Sequence, residues 1–329
     1  MTVEADTLTP TEDERPGRID AVPVRHPGRW VAVAVVAVIA VLVVNLLVTN
    51  EAFNWSFVFQ AMVQSPVLHG LVWGTILGTI FSMAFGVVLG VILAVMRLSD
   101  NPVLKGAAFL YTWFFRAVPR LVLLTIMGTL GILWQHQLGI GVPETFANWF
   151  GTTNDHLSFA HINANNLFSG LFGGVVGLGL TEAAYMAEIS RAGILSVDSG
   201  QREAASALGM SGGKTMRRII LPQAMRVIVP PTGNETIAMV KDTSLLIGVP
   251  VGAELFFQLQ SIGSRTFQTF PTEVAAVLWY LIIGTVLMIV QAQLERRFGK
   301  GFGALGASQQ GTIARMLSFR GGGGGGGNV

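Results

Sequence analysis

Cysteine is absent from this chain of 329 residues. That absence rules out disulfides, thiolate metal sites and cysteine nucleophiles together. Charge is scarce as well: Asp, Glu, Lys and Arg make up 12% of the residues, whereas about 25% is usual for a soluble domain. The five histidines fall at no metal-binding spacing, the nearest two being His156 and His161. No serine sits in a nucleophile-elbow pattern. Between Gln135 and Asn166 there is neither Lys nor Arg. What remains is apolar, with 51% hydrophobic residues, 40 Gly and 20 Phe, a composition suited to helices packed in lipid. The formal net charge of +2 is small, so the placement of the cations carries more information than their sum.

A helix that crosses a bilayer needs about 20 apolar residues. Six stretches meet or approach that length, and they predict an all-α integral membrane protein. Trp30–Val48 carries no charge, and His69–Met96 none before Arg97. Ala107–Trp134 is apolar apart from Arg116 and Arg120, and Leu167–Ile194 until Glu182. Val227–Val251 is interrupted by Pro230-Pro231 and holds Glu235, Lys241 and Asp242, while Thr272–Gln291 has only Glu273 near its start. Threading six helices from an inside N-terminus puts Arg25 and Arg29, Arg97 and Lys105, the cluster Arg202 to Arg226, and Arg296 to Lys300 all on the cytoplasmic side. Arg265 alone falls outside. Residues 1–24, rich in acids, Thr and Pro, lack the basic and then apolar order of a signal peptide and are expected to be a disordered cytoplasmic tail. Residues 25–65 add a first helix and an outer segment, residues 66–301 form a core of five helices, and residues 302–329 form a cytoplasmic tail ending in a Gly run. Gly70, Gly74 and Gly78, Gly86 and Gly90, and Gly173 and Gly177 recur every four residues, a spacing that lets backbones approach closely in lipid.

The loop at 201–222 carries the clearest order. Gln201 to Leu208 favours helix, Gly209 suits a left-handed cap, and Ser211 stands where it could cap a second basic helix, Gly212 to Ile220. Leu221-Pro222 then begins the next segment, since Pro suits a first helical turn. A stiff protrusion of this kind can transmit the motion of a soluble partner. Two other readings compete. An ordinary basic loop does not account for the full spacing. A phosphate loop at Gly212-Gly213-Lys214-Thr215 fails because position 208, where its first Gly belongs, is Leu.

The pattern Glu203-Ala204-Ala205, Gly209, Ile219, Leu221-Pro222 resembles the coupling loop of ABC importer permeases. With Phe114-Phe115-Arg116-Ala117-Val118-Pro119, Thr181-Glu182-Ala183-Ala184-Tyr185-Met186-Ala187-Glu188-Ile189-Ser190-Arg191 and Lys241-Asp242-Thr243-Ser244-Leu245, the chain from Gly70 to Gly301 is similar to the permease subunits of polar amino-acid ABC importers. The resemblance implies a permease dimer, made with a second copy or a related chain, in a bacterial inner membrane. It also implies two cytoplasmic ATPase subunits that bind ATP and Mg, and an extracytoplasmic amino-acid-binding protein. No cofactor, no chemistry and no nucleic acid are expected in this chain itself. Glu203, Ala204, Ala205, Gly209, Leu221 and Pro222 would then be the residues that meet the ATPase. Two features depart from the family pattern: the added first helix, and Arg120 where an apolar residue is expected.

Ionisable residues inside a bilayer are costly and therefore point to function. Arg116 and Arg120 are expected on one helical face, Glu235 and Asp242 on one face of another helix with Met239 between them, and Glu188 close enough to pair with Arg191. Arg116, Arg120, Glu182, Glu188, Glu235, Met239, Asp242 and Thr243 are the candidates for the substrate path, where a zwitterion would meet both signs. The competing reading is that these charges pair with one another and lock helices together. An excess of inward cations would favour glutamate or glutamine. An ion-gradient-driven secondary transporter is the alternative; it would explain the interrupted fifth span but predicts an inverted repeat that the halves do not show. An intramembrane enzyme lacks a nucleophile–base pair, and an exporter half lacks its ATPase domain.

Overall fold

The computed structural model describes residues 27–130, 138–141, 158–162, 168, 170–249 and 251–298. It divides into two units, Met1–Phe53 and Asn54–Val329. In the first, α1 (Pro27–Thr49) is apolar on every side. Such a helix has no polar face to turn toward water, and its length suits a membrane span.

The second unit is helical. It contains α2 (Trp55–Met62), α3 (Ser65–Leu98), α4 (Pro102–Ala117), α5 (Arg120–Thr129), α6 (Gly170–Leu195), α7 (Ser199–Ala207), α8 (Leu221–Asp242), α9 (Leu255–Thr266) and α10 (Thr269–Phe298). A two-stranded antiparallel ribbon, Leu138–Gly141 with Ser158–Ile162, pairs Leu138 with Ile162 and Gly139 with His161. Of the segment expected outside the membrane only this ribbon is described; His136 and His156 lie outside the described residues, as do both terminal tails.

Among the described residues four helices, α1, α3, α6 and α10, are long and apolar enough to cross a membrane. The expected third span is not one helix. Val118 precedes Pro119, and the proline ring disfavours helical backbone at the residue before it. Val118 is accordingly extended (φ −90°, ψ 133°), and α4 and α5 meet at 100°. Counted as one broken crossing, the pair makes a fifth span. The expected span Val227–Val251 is also redrawn: α8 is helical through Pro230-Pro231 to Asp242 and gives way to a 3-10 turn, Thr243–Gly248. With Arg226, Glu235, Lys241 and Asp242 along it, α8 is not an apolar span by composition. The Pro pair does not end the helix; the Gln291 side chain on α10 donates to the Pro230 carbonyl at 2.8 Å.

Glycine spacing positions the two central helices. A Cβ placed on Gly86 of α3 would lie 2.8 Å from Cβ and Cγ of Glu182, and one on Gly90 would lie 3.0 Å from the Ala183 carbonyl and the Ala187 amide. Only glycine lets α3 and α6 approach so closely. Gly74 meets the backbone of Ala253 and Glu254 in the same way, inside a π-helical turn at Leu71–Ile76. Gly78 makes no such approach, having only Leu171 at 3.8 Å. One part of the core lies where these helices converge: Met83, Leu124, Leu178, Met239, Leu246, Val249 and Val251 are buried together.

Candidate functional site

The break at Pro119 determines what Arg120 can reach. As the first residue of α5, it turns away from α4 toward α6 and α8. Its guanidinium donates to Glu182 at 3.0 Å and to Asp242, and it lies 3.9 Å from Glu235. Three carboxyl groups thus converge on one guanidinium whose side chain is 14% exposed. Glu235 and Asp242 reach it together because they stand seven residues apart on one face of α8. The Tyr185 ring on α6 caps the guanidinium, 4.7 Å from the Arg120 carbon, a stacked arrangement favourable for a cation.

Not every oxygen in this cluster has a donor. Glu182 is fully buried, and its Oε1 has no hydrogen-bond partner among the described residues. A buried carboxyl oxygen without a donor is costly.

Arg116 does not share a helical face with Arg120, as the sequence spacing suggested, because the helix ends between them. It stands at the end of α4, exposed, with Tyr185 at 5.7 Å. Glu188 lies one turn along α6 from Tyr185 and pairs with Arg191 at 2.7 Å and Arg97 at 3.5 Å, so the expected Glu188–Arg191 pair forms. Met239 and Thr243 are both fully buried, Met239 in the core and Thr243 donating to the Val240 carbonyl at 2.7 Å.

The 201–222 segment follows its sequence closely at one end. Asp198 caps α7 by accepting from the Gly200 amide at 2.7 Å. At the far end Gly209 takes φ +70°, the Gly209 amide donates to Ser206 and the Met210 amide to Ala205. This pair of bonds is a Schellman motif. Ala205 is buried, while Glu203, Ala204 and Leu208 face outward, Leu208 with 80% of its surface exposed. The other end differs from expectation. Ser211 stands at the N-cap but its hydroxyl makes no cap bond. The second helix is not separate: Gly212–Thr215 runs through a π turn, Met216–Ile220, into α8 without a break. Leu221 and Pro222, both exposed, are therefore inside one helical run rather than at the start of a new one. Ile220, Ala224 and Ile228 pack this run onto Ile194 and Val197 below α6.

Sequence reasoning did not find Glu254. It is fully buried and caps α9, accepting from the Phe257 amide at 3.0 Å, Thr75 at 3.0 Å and the Tyr280 hydroxyl at 2.8 Å. Its position ahead of the apolar run Leu255-Phe256-Phe257 was the available signal.

The family described as binding-protein-dependent transport system inner membrane component matches residues 86–300. The chain belongs to that family. It is 45% identical over 289 residues to the arginine transport system permease protein ArgU of Corynebacterium glutamicum, spanning 87% of this chain and 85% of that one. It is 32% identical over 208 residues to the probable glutamine ABC transporter permease protein GlnM of Bacillus subtilis, covering 63% of this chain and 82% of that protein. The fold matches a crystal structure of an amino acid ABC transporter with histidines at a TM-score of 0.53 and 29% identity, over 70% of this chain and 94% of that chain. The inward-facing MetNI methionine ABC transporter shares the fold at 18% identity and a TM-score of 0.52, over 71% of this chain and 96% of that one. This protein is thus a multi-pass membrane permease of the amino-acid ABC importer class.

Proposed function

We propose that this permease carries basic amino acids, arginine-like in their side chains, inward along a path past Arg120, Glu182, Glu235 and Asp242. The observation that carries this reading is the imbalance at the cluster: three carboxyl groups against one guanidinium, with Glu182 Oε1 left without a donor. A carboxyl-rich site in a low-dielectric interior favours a cationic guest and penalises an anionic one. The premise that would have favoured glutamate or glutamine, an excess of inward cations, does not hold around Arg120, because Arg116 lies apart from it. The arginine name of the Corynebacterium glutamicum relative supports the same direction.

In this reading six helices cross the membrane with both termini in the cytoplasm, and a second permease copy or a related chain completes the path. Two ATPase subunits bind ATP and Mg and press on Glu203, Ala204, Ala205 and Gly209. An extracytoplasmic binding protein delivers the solute. The continuous run 212–242 supports a direct mechanical link, since motion at the cytoplasmic loop passes along one helix to Glu235 and Asp242 with no joint but the π turn. The test is uptake into proteoliposomes holding the permease, its ATPase and the binding protein. ATP-dependent arginine uptake, competed by lysine and untouched by glutamate, is the expected result. Glutamate uptake would overturn the substrate class. Uptake that follows a proton or sodium gradient without ATP would return the secondary-transporter reading.

A further inference from the structure

Arg116 is not used by the cluster just described, and its surroundings form a site of opposite character. A cavity of about 400 Å³ opens beside α4 and α6, lined by Arg97, Phe109, Trp113, Arg116, Tyr185 and Glu188 among others. Two guanidiniums enter it from different helices. Arg97 lies over the Phe109 ring at 5.0 Å, with Glu188 at 3.5 Å, while Arg116 stacks on Tyr185 at 5.7 Å and has no carboxylate within 4.0 Å among the described residues. Aromatic stacking holds a guanidinium's plane while leaving its N–H edge free to donate. Tyr185 is shared, since Arg116 and Arg120 both approach its ring. The Tyr185 ring is therefore shared by the guanidinium of the carboxyl-rich cluster and by an arginine with no carboxylate within 4.0 Å among the described residues.

We propose that this cavity binds the α-carboxylate of the transported amino acid through Arg116, while the cationic side chain faces Glu182. The assignment rests on the basic-amino-acid reading above for the far end of the substrate, but the carboxylate site stands on Arg116 alone. Arginine's planar fork matches a carboxylate in a two-point geometry that an ammonium cannot reproduce. Arg116 is a specificity residue on this account: it selects α-amino acids over amines of the same side chain.

The test measures binding calorimetrically to the permease–ATPase complex in nanodiscs, without the binding protein, so that only the membrane site is read. L-arginine is compared with agmatine, which differs by the carboxylate alone, and glutamine with 4-aminobutanamide in the same way. The wild-type complex is expected to bind L-arginine about tenfold more tightly than agmatine. Arg116→Gln should erase that preference by weakening L-arginine and leaving agmatine unchanged. Equal affinity for the two in wild type overturns the proposal, and that arm needs no variant to fold. Equal losses for both compounds in Arg116→Gln overturn it too. If glutamine binds and arginine does not, with Arg116 governing the preference over 4-aminobutanamide, the basic-amino-acid reading fails and the carboxylate site stands. Repeating the titration with added anionic lipid separates the other source of the same chemistry. L-arginine affinity that falls as lipid phosphate rises, with agmatine unmoved, would give the cavity to a lipid headgroup.

Discussion

Glu254 and Glu182 are both sealed from solvent, yet their surroundings differ in kind. Glu254 meets three neutral donors, Thr75, Tyr280 and the Phe257 amide, and none of its oxygens is orphaned. It fastens the start of α9 to α3 and α10 and holds the backbone that Gly74 packs against. Glu182 meets a single cation shared with two further carboxyls, and one of its oxygens has no partner. A buried carboxyl that is fully satisfied is accounted for by the architecture, whereas one left partly unsatisfied beside an arginine calls for a further explanation. Burial alone does not distinguish the two; the donor inventory does.

The largest expected effect breaks the cluster itself. Arg120→Leu removes the one cation that pairs with Glu182, Glu235 and Asp242 among the described residues, and losing one partner of a buried ion pair costs about 3–5 kcal/mol. Thermal unfolding in detergent should drop accordingly; an unchanged midpoint would mean the pairs do not hold the helices. Next comes Glu254→Leu, which strands two hydroxyls and the α9 cap and should cost about 3 kcal/mol, with transport per folded molecule retained. Glu182→Gln should do the reverse. The amide still accepts from Arg120, so unfolding shifts by about 1 kcal/mol or less, but uptake of basic amino acids falls at least about tenfold. If Glu182→Gln unfolds the protein and Glu254→Leu abolishes transport without unfolding it, the contrast between the two glutamates is wrong. Gly209→Ala has a similarly small effect on stability. No atom lies within 4 Å of the added Cβ, so the cost is the left-handed backbone alone, about 1 kcal/mol. ATPase stimulation by the liganded binding protein should suffer more than stability does, since the Schellman turn sets the angle of α7.

Much of this was legible from residue order. The Gly86 and Gly90 spacing foretold a close helix approach, though not that α6 is the partner, and Gly209 foretold the left-handed cap, because both depend on what a glycine lacks. Glu188 and Arg191 paired as a three-residue helical spacing predicts. What could not be read was geometry set by breaks and by distant chain. The pre-proline restriction at Val118 was visible, but not the 100° turn that separates Arg116 from Arg120. The Pro230-Pro231 pair looked like an interruption, yet α8 runs through it, with Gln291 from the far helix bonded to the Pro230 carbonyl. Glu254 carries its meaning only through Thr75 and Tyr280, which lie far from it in sequence.

The claim that the orphaned Glu182 oxygen awaits a cationic substrate is tested most directly by a cryo-EM structure of the assembled transporter with L-arginine. The account predicts a substrate guanidinium nitrogen within about 3 Å of Glu182 Oε1, with the Arg120 contacts to Asp242 and Glu235 in place. A structure in which Glu182 Oε1 is bonded to another residue of the assembly, with the substrate bound elsewhere, would contradict it.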